Sequence, residues 1–249
     1  EWSKKQFLKK LDKFYHKSEK LEVIHQSINK QKVNIDKKEK LITFVGKLNS
    51  AKGYDLFGKS ILKILDKHKS WKSIVIGDEP REKLIFNHRN LKVLGFQNHT
   101  NVLKIFKKTS IAVACSRWEE PFGRTSLEAS SRGCAVIVSN RGGLPETITN
   151  GIIVRNLNVK NLYNSINKLI NNDKQRKNLQ RSSLKNFYLT DEFICKKIDD
   201  YREKIVNLKL NFNGSLNLEK LKILHVTNFN ERHNGRLFYN TGRRLNNGF

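Results

Sequence analysis

Two glutamates, Glu120 and Glu128, lie eight positions apart around a Pro-Phe-Gly turn and the predicted start of a helix. The Phe122-Gly123 pair lets the backbone come close to a ligand, because glycine has no side chain in the way. A helix that opens near Thr125 would point unpaired amides and its positive dipole end at an anion. We predict that Glu128 falls in the first helical turn, where its carboxylate could accept hydrogen bonds from ribose hydroxyls. The same residues also suit an ordinary helix N-terminus without a ligand.

Short apolar runs alternate with helical patterns along the chain. The run at 41–45 is continuously apolar and ends at Gly46, which is typical of a strand buried on both faces of a parallel sheet. Further strands are predicted at 21–25, 73–76, 91–94, 111–114, 135–138 and 152–154. Helices are predicted at 7–14, 54–65, 102–106, 125–131, 144–148, 159–170, 173–187 and 193–205. This order predicts an α/β fold, a doubly wound Rossmann-like parallel sheet.

In such a sheet, ligands gather at the carboxyl ends of the strands. The strand ends bring several short segments to one rim of the sheet, and Glu120 and Glu128 belong to this rim. The segments are Gly46-Lys47, Gly77-Asp78, Gly95-Phe96, 116–122 and 139–143.

Residues 53–60 fit the phosphate-loop pattern G-x-x-x-x-G-K-S. We interpret this match as accidental, because the preceding strand ends seven residues earlier, at Gly46. Tyr54 and Phe57 continue the apolar face of the following helix, so Lys59 is predicted to lie on the helix surface.

The chain has 249 residues and a net charge of +26, which indicates an anionic partner such as nucleic acid, an acidic membrane or a phosphorylated substrate. The lysines are spread along the chain, so part of this charge is also expected on ordinary solvated surface. The three cysteines do not suggest a disulfide framework, and they fit a reducing, cytoplasmic location.

No Asp-x-Asp pair occurs, so a metal-held diphosphate is disfavoured and we expect neither a metal nor a cofactor. A diphosphate would then be neutralised by side chains and a helix dipole. Lys47 and Lys52, after the 41–45 strand, are the natural candidates, although both also suit an ordinary basic surface.

Six motifs in register make the chain resemble the carboxyl-terminal, donor-binding domain of the retaining GT-B glycosyltransferases, the family-four group that uses nucleotide sugars. The resemblance covers about residues 1–201. The motifs are Phe44-Val45-Gly46-Lys47-Leu48 with Lys52-Gly53, Val75-Ile76-Gly77-Asp78, Val93-Leu94-Gly95, 120–128, 129–137 and Gly142-Gly143-Leu144-Pro145-Glu146.

The resemblance implies a role for each matching residue. Lys47 and Lys52 would hold the donor diphosphate. The family more often has arginine at the position of Lys47, and lysine lacks the bidentate fork of arginine. Glu120 would contact the donor sugar and support positive charge at its anomeric carbon, and Glu128 would bind the ribose. The remaining donor contacts would come from Gly46, Gly77, Phe122, Gly123, the amides of Arg124 and Thr125, and the backbone near Phe96, which would read the base. Glu79 stands where the family commonly has glycine.

The resemblance also divides the chain. Residues 1–208 would form the donor domain with a closing helix, 209–220 a linker, and 221–249 a truncated strand, loop and helix that begin a second Rossmann-like domain. That last segment fits a tandem enzyme, two joined reading frames, or a piece that folds onto the first domain. The acceptor site would precede Glu1, so we expect these residues alone to be inactive.

The expected function is that of a hexosyltransferase-type glycosyltransferase, metal-independent and retaining. It would move a sugar from a nucleotide diphosphate sugar to a saccharide or lipid-linked acceptor in cell-envelope polysaccharide synthesis. We expect a cytoplasmic protein with peripheral contact to the anionic inner membrane surface and no specific nucleic acid. The alternatives are a basic module that binds nucleic acid or membrane, and a nucleotide-sugar epimerase or phosphorylase on the same fold.

Overall fold

The computed structural model describes residues 1–11 and 22–210, in which most strands are followed by a helix and three consecutive helices follow the last strand. The strands are β1 (Glu39–Val45), β2 (Lys72–Ile76), β3 (Leu91–Val93), β4 (Thr109–Ala114), β5 (Ala135–Ser139) and β6 (Gly151–Val154). The helices are α1 (Trp2–Leu11), α2 (Tyr54–Lys67), α3 (His99–Lys108), α4 (Arg124–Ser131), α5 (Val159–Asn171), α6 (Asp173–Lys185) and α7 (Asp191–Leu210). Single 3-10 turns lie at Ile35–Lys37 and Leu144–Thr147.

Glu1–Asp199 forms one compact unit, and Asp200–Phe249 is a second unit of which only the end of α7 is described. Helix α7 continues to Leu210 and so includes the first residues of the predicted linker. The rest of that linker and the predicted second-domain segment lie outside the described residues. Within the described ranges, no helix is long and apolar enough to cross a bilayer.

All six strands pair in parallel, in the order β3-β2-β1-β4-β5-β6. Strand β1 lies between β2 and β4, so Phe44 is in register with Val75 on one side and Val113 on the other. The chain builds one half of the sheet outward from β1 and then returns to build the other half from β4. The predicted doubly wound fold is therefore confirmed, and its switch point lies between β1 and β4.

Apolar layers cover both faces of the sheet. Phe44 belongs to the same buried cluster as Phe57 of α2 and Ile166 of α5. Val136 belongs to the opposite layer, together with Phe106 of α3. Every residue of β5 is buried, which explains why the central strands are continuous apolar runs in the sequence.

The phosphate-loop match at residues 53–60 is accidental, as predicted. From Tyr54 onward the segment is the first half of α2. Tyr54 and Phe57 are buried, with the Phe57 ring centroid 5.1 Å from that of Phe44. Lys59 is exposed on the helix surface.

The prediction of a strand at 21–25 is wrong. Residues 22–34 have no regular secondary structure, although exposed and half-buried residues alternate in the first part of this segment. Its carbonyls and amides are bound by side chains and loops: Lys197 Nζ donates to the Val23 carbonyl at 2.7 Å, and the Ile28 amide donates to a loop carbonyl at 3.0 Å. Alternating burial identifies an extended segment, but a strand also needs a neighbouring strand within hydrogen-bonding distance.

Truncation of Phe57 to alanine should lower the free energy of unfolding by about 3–5 kcal/mol, because it opens a cavity beneath β1. Lys59→Ala, two residues along the same helix, should change it by less than about 0.5 kcal/mol. Urea unfolding followed by circular dichroism measures both. Equal losses in the two variants would contradict the assignment of Lys59 to the surface.

Candidate functional site

A cavity of about 250 Å³ opens where β1 and β4 end side by side. Because the loops after these strands leave toward opposite faces of the sheet, a crevice forms between them. The lining comes from the end of β1, the β4–α4 loop and the start of α4. The residues that line it are Phe44, Val45, Gly46, Lys52, Ala114, Cys115, Ser116, Glu120, Gly123, Arg124, Thr125, Ser126 and Leu144.

Lys52 reaches the cavity from the loop between β1 and α2. Its amide donates to Asn49 Oδ1 at 3.0 Å, and the next residue, Gly53, is the N-cap of α2 with a φ of 73°. A side chain at Gly53 would lie 1.9 Å from the Cys115 carbonyl oxygen, so only glycine lets this loop lie against the end of β4. The loop geometry therefore directs Lys52 across the crevice.

Lys52 Nζ forms an ion pair with Glu120 Oε1 across the crevice. The Glu120 side chain is 15% exposed and the Lys52 side chain 34% exposed, so the pair is only partly shielded from water. The structure thus brings these two predicted site residues together. A cation and a carboxylate from neighbouring loops meet at the mouth of the cavity.

The loop after β5 fixes the backbone around Glu120. The Gly143 amide donates to the Glu120 carbonyl at 2.6 Å, and the Gly142 amide donates to Glu119 Oε2 at 2.5 Å. Gly142 has a φ of 56°, and a Cβ there would lie 2.1 Å from the Glu120 carbonyl oxygen. Sequence analysis noted this Gly-Gly pair as a motif but gave it no task; the structure shows that it clamps Glu120.

Helix α4 begins at Arg124, directly after Gly123, and its first turn lies at the cavity. The amides of Arg124, Thr125 and Ser126 precede the first hydrogen bond within the helix, which the Leu127 amide makes to the Gly123 carbonyl. The predicted anion-binding geometry of a helix N-terminus is therefore present at the cavity wall.

The placement of Glu128 in the first helical turn is wrong. Because α4 starts at Arg124, Glu128 is its fifth residue and lies in the second turn. The Glu128 side chain is 7% exposed, and its Oε1 accepts hydrogen bonds from Arg124 Nε and His99 Nε2, each at 2.9 Å. Hydrogen bonds from Arg124 and His99, rather than the dipole of the first turn, satisfy this buried carboxylate.

His99 was missed by sequence reasoning. It is the first residue of α3, after the N-cap Asn98, and the chain alone gives no signal that it faces Glu128 twenty-nine positions later. Glu128 Oε2 receives none of the hydrogen bonds from the residues that the structure describes, so one carboxylate oxygen stays available to a ligand.

Five predicted site residues do not line this cavity: Glu128, Lys47, Phe96, Phe122 and Gly77. Lys47 is exposed, and Phe96 is 77% exposed at the end of the β3 edge. The Phe122 ring packs on His25, with centroids 5.3 Å apart. Gly77 lines a second, wider cavity of about 410 Å³ together with the 78–85 loop. Their contacts with a donor stay predictions.

Glu79 joins two loops of the carboxyl rim. Its carboxylate accepts from Arg81 Nε at 2.7 Å and from Asn49 Nδ2 at 3.1 Å. Chiefly through the hydrogen bond from Arg81, the pKa of Glu79 falls from its usual 4.5 to about 2. Asn49 in turn accepts from the Lys52 amide, so Glu79 braces the loop that carries Lys52.

The family of the chain follows from a comparison with known proteins. Residues 25–185 match the family described as Glycosyl transferases group 1, and this match covers more than half of the chain. The chain belongs to the glycosyl transferases group 1 family. This membership does not favour the alternatives of a plain binding module, an epimerase or a phosphorylase.

The curated relatives are similar over the same region. The chain is 28% identical to spore coat protein SA of Bacillus subtilis over 162 residues, 58% of this chain and 43% of that protein. It is 29% identical to the lipopolysaccharide core biosynthesis mannosyltransferase LpsB of Rhizobium meliloti over 132 residues, 49% of this chain and 37% of that protein. The chain thus spans less than half the length of these relatives.

Solved GT-B structures share the fold. The Anabaena protein HepE in complex with UDP-glucose superposes with a TM-score of 0.58 at 17% identity, covering 67% of this chain and 49% of that one. The pneumococcal O-GlcNAc transferase GtfA, in complex with UDP and GlcNAc, superposes with a TM-score of 0.68 at 16% identity, covering 81% and 43%. At these identities the likeness establishes the fold alone.

The lowered pKa of Glu79 predicts a pH dependence of stability. A carboxyl whose pKa is lower in the folded than in the unfolded chain contributes stability above about pH 4.5, and this contribution is lost as the pH falls toward 2. Glu79→Gln should therefore show a smaller loss of unfolding free energy between pH 7 and pH 3 than the wild type. Urea unfolding at both pH values tests this; identical losses in the two proteins would refute it.

Proposed function

We propose that the chain carries the donor site of a glycosyltransferase that takes a nucleotide diphosphate sugar. The observation that carries the proposal is the cavity between β1 and β4, where Lys52, Glu120 and the N-terminus of α4 converge. Family membership supports transferase chemistry. The structures of HepE with UDP-glucose and of GtfA with UDP and GlcNAc support a nucleotide-sugar donor.

In this proposal the diphosphate binds at the start of α4. Arg124, Thr125 and Ser126 line the cavity, and their amides precede the first hydrogen bond within α4. These amides suit phosphate oxygens, and the helix dipole adds a favourable field. Lys52 Nζ lies on the opposite wall and adds a charge-assisted hydrogen bond. Two walls of one crevice thus neutralise the diphosphate without a metal.

Glu128 holds the ribose. Its Oε1 is already bound by Arg124 and His99, which fix the carboxylate in place, and Oε2 is left to accept hydrogen bonds from ribose hydroxyls. Because Arg124 also begins α4, one residue positions the ribose carboxylate and contributes an amide to the phosphate site. Ribose and diphosphate binding are therefore structurally coupled.

Glu120 faces the donor sugar. During transfer, the bond between the anomeric carbon and the diphosphate oxygen breaks, and positive charge develops on the sugar. The Glu120 carboxylate stabilises that charge, while Lys52 and the α4 amides stabilise the negative diphosphate. An acceptor hydroxyl then attacks from the face that the diphosphate leaves and gives its proton to the departing phosphate oxygen, so configuration is retained.

The saccharide product belongs to the cell envelope in this proposal. LpsB is named for lipopolysaccharide core biosynthesis, and another relative, 32% identical over 131 residues, is an uncharacterized protein of a cps region in Klebsiella pneumoniae. The acceptor is then a saccharide or a lipid-linked saccharide met at the cytoplasmic side of the membrane.

Isothermal titration with UDP-glucose, UDP-N-acetylglucosamine and GDP-mannose tests the donor site. We expect one of them to bind, and Lys52→Ala to weaken that binding about 10- to 150-fold, the loss of one charge-assisted hydrogen bond. Lys59→Ala, on the exposed face of α2, serves as the matched control and should bind as the wild type does. Unchanged affinity in Lys52→Ala would remove Lys52 from the site.

The proposed contact between Glu128 and the ribose can be tested separately, with deoxy analogues of the nucleotide. The wild type should bind the nucleoside diphosphate more tightly than its 2′-deoxy or 3′-deoxy analogue, by roughly tenfold or more for the hydroxyl that Glu128 binds. Glu128→Gln should weaken binding of the parent nucleotide and bring its affinity close to that of the analogue. A variant that keeps the full preference would show that Glu128 does not contact the ribose.

A further inference from the structure

A third cavity lies far from the donor cleft, on the opposite edge of the sheet. It is an open groove of about 580 Å³ between the segment before β1 and the end of α6. Ile35, which precedes β1, lies directly beside Gly133, which precedes β5: a Cβ on Gly133 would be 2.7 Å from Ile35 Cδ1. The groove therefore sits at the amino ends of the strands, whereas the donor cleft is at their carboxyl ends. We call it the amino-end groove; it is lined by Lys30, Gln31, Lys32, Val33, Ile35, Arg181, Leu184 and Lys185.

Cationic side chains dominate the rim of the groove, and its lining holds no carboxylate. Asp36 is the acid beside it, and it is already shared by Arg181 at 3.1 Å and Lys177 at 3.4 Å. Lys32 and Lys185 make no ion pair with any residue that the structure describes. The groove thus keeps uncompensated positive charge.

The floor of the groove is apolar. Val33 and Leu184 are half-buried, and Ile35 is 8% exposed. The surrounding lysines have long aliphatic stems that can extend this apolar surface while their ammonium groups stay in water. A free phosphate would use the cations and leave the floor unused.

We propose that the amino-end groove docks an anionic phospholipid headgroup, with the lipid phosphate held by Lys32 and Lys185 and the glycerol and upper acyl region against Val33 and Leu184. Charge complementarity selects an anionic surface, and the apolar floor selects a lipid over a soluble anion or a nucleic acid backbone. The net charge of +26 adds long-range attraction toward such a membrane. This docking does not depend on the proposed sugar transfer.

The test is co-sedimentation of the 249-residue chain with vesicles that contain phosphatidylglycerol and phosphatidylcholine, at about 0.1 M salt, where screening acts over roughly 10 Å. Reversal of two groove charges, in Lys32→Glu with Lys185→Glu, should weaken binding roughly thirtyfold or more. The matched control reverses two exposed lysines of α2, in Lys59→Glu with Lys63→Glu, and carries the same net charge. We expect the control to bind within about twofold to threefold of the wild type. Equal losses in the two variants would show attraction by overall charge and would overturn the groove as a site.

The lipid itself is tested by three further arms. Vesicles of phosphatidylcholine alone should bind weakly, and equal binding to them would overturn the role of the phosphate charge. Val33→Ser should weaken vesicle binding by roughly threefold or more and leave binding to double-stranded DNA unchanged. An equal effect on DNA, or displacement from vesicles by millimolar glycerol 3-phosphate, would mean that the groove takes a polyanion or a free phosphate instead. Circular dichroism of each variant checks that the fold is intact.

Discussion

The switch point between β1 and β4 is the constraint on which the rest of the site depends. The two strands run in parallel as neighbours, and their following loops leave to opposite faces of the sheet. Backbone hydrogen bonding holds the strand ends at a fixed separation, so the space between the loops cannot close. Lys52 on one loop and Glu120 on the other meet only because of this arrangement.

The walls of this crevice are held by hydrogen bonds that have no catalytic part of their own. Asn49 and Glu79 hold the loop that carries Lys52, and the amides of Gly142 and Gly143 hold the segment that carries Glu120. These hydrogen bonds matter because an ion pair between two mobile loops loses more conformational entropy when it forms. In the proposed donor site, a pair held in this way needs little rearrangement to receive the diphosphate.

The carboxylates of Glu128 and Glu120 differ in their burial and in their hydrogen-bond partners. Glu128 is almost fully buried, and its carboxylate accepts hydrogen bonds from two side chains, Arg124 and His99. Glu120 is more exposed and takes one lysine. The first arrangement suits a carboxylate that holds a ligand in one position, and the second suits one whose partner can turn to a bound diphosphate.

The sequence by itself determined the sheet, because strands covered on both faces must be continuous apolar runs and helices must carry one apolar face. It also placed Glu120, Lys52 and the start of α4 at one rim, since parallel strands end at the same edge. Only the tertiary structure decided which groups touch: that His99 binds Glu128, that Gly142-Gly143 clamps Glu120, that Phe122 turns toward His25, and that the 22–34 segment has no strand beside it. These contacts join residues far apart in the chain, and no local period or spacing records them.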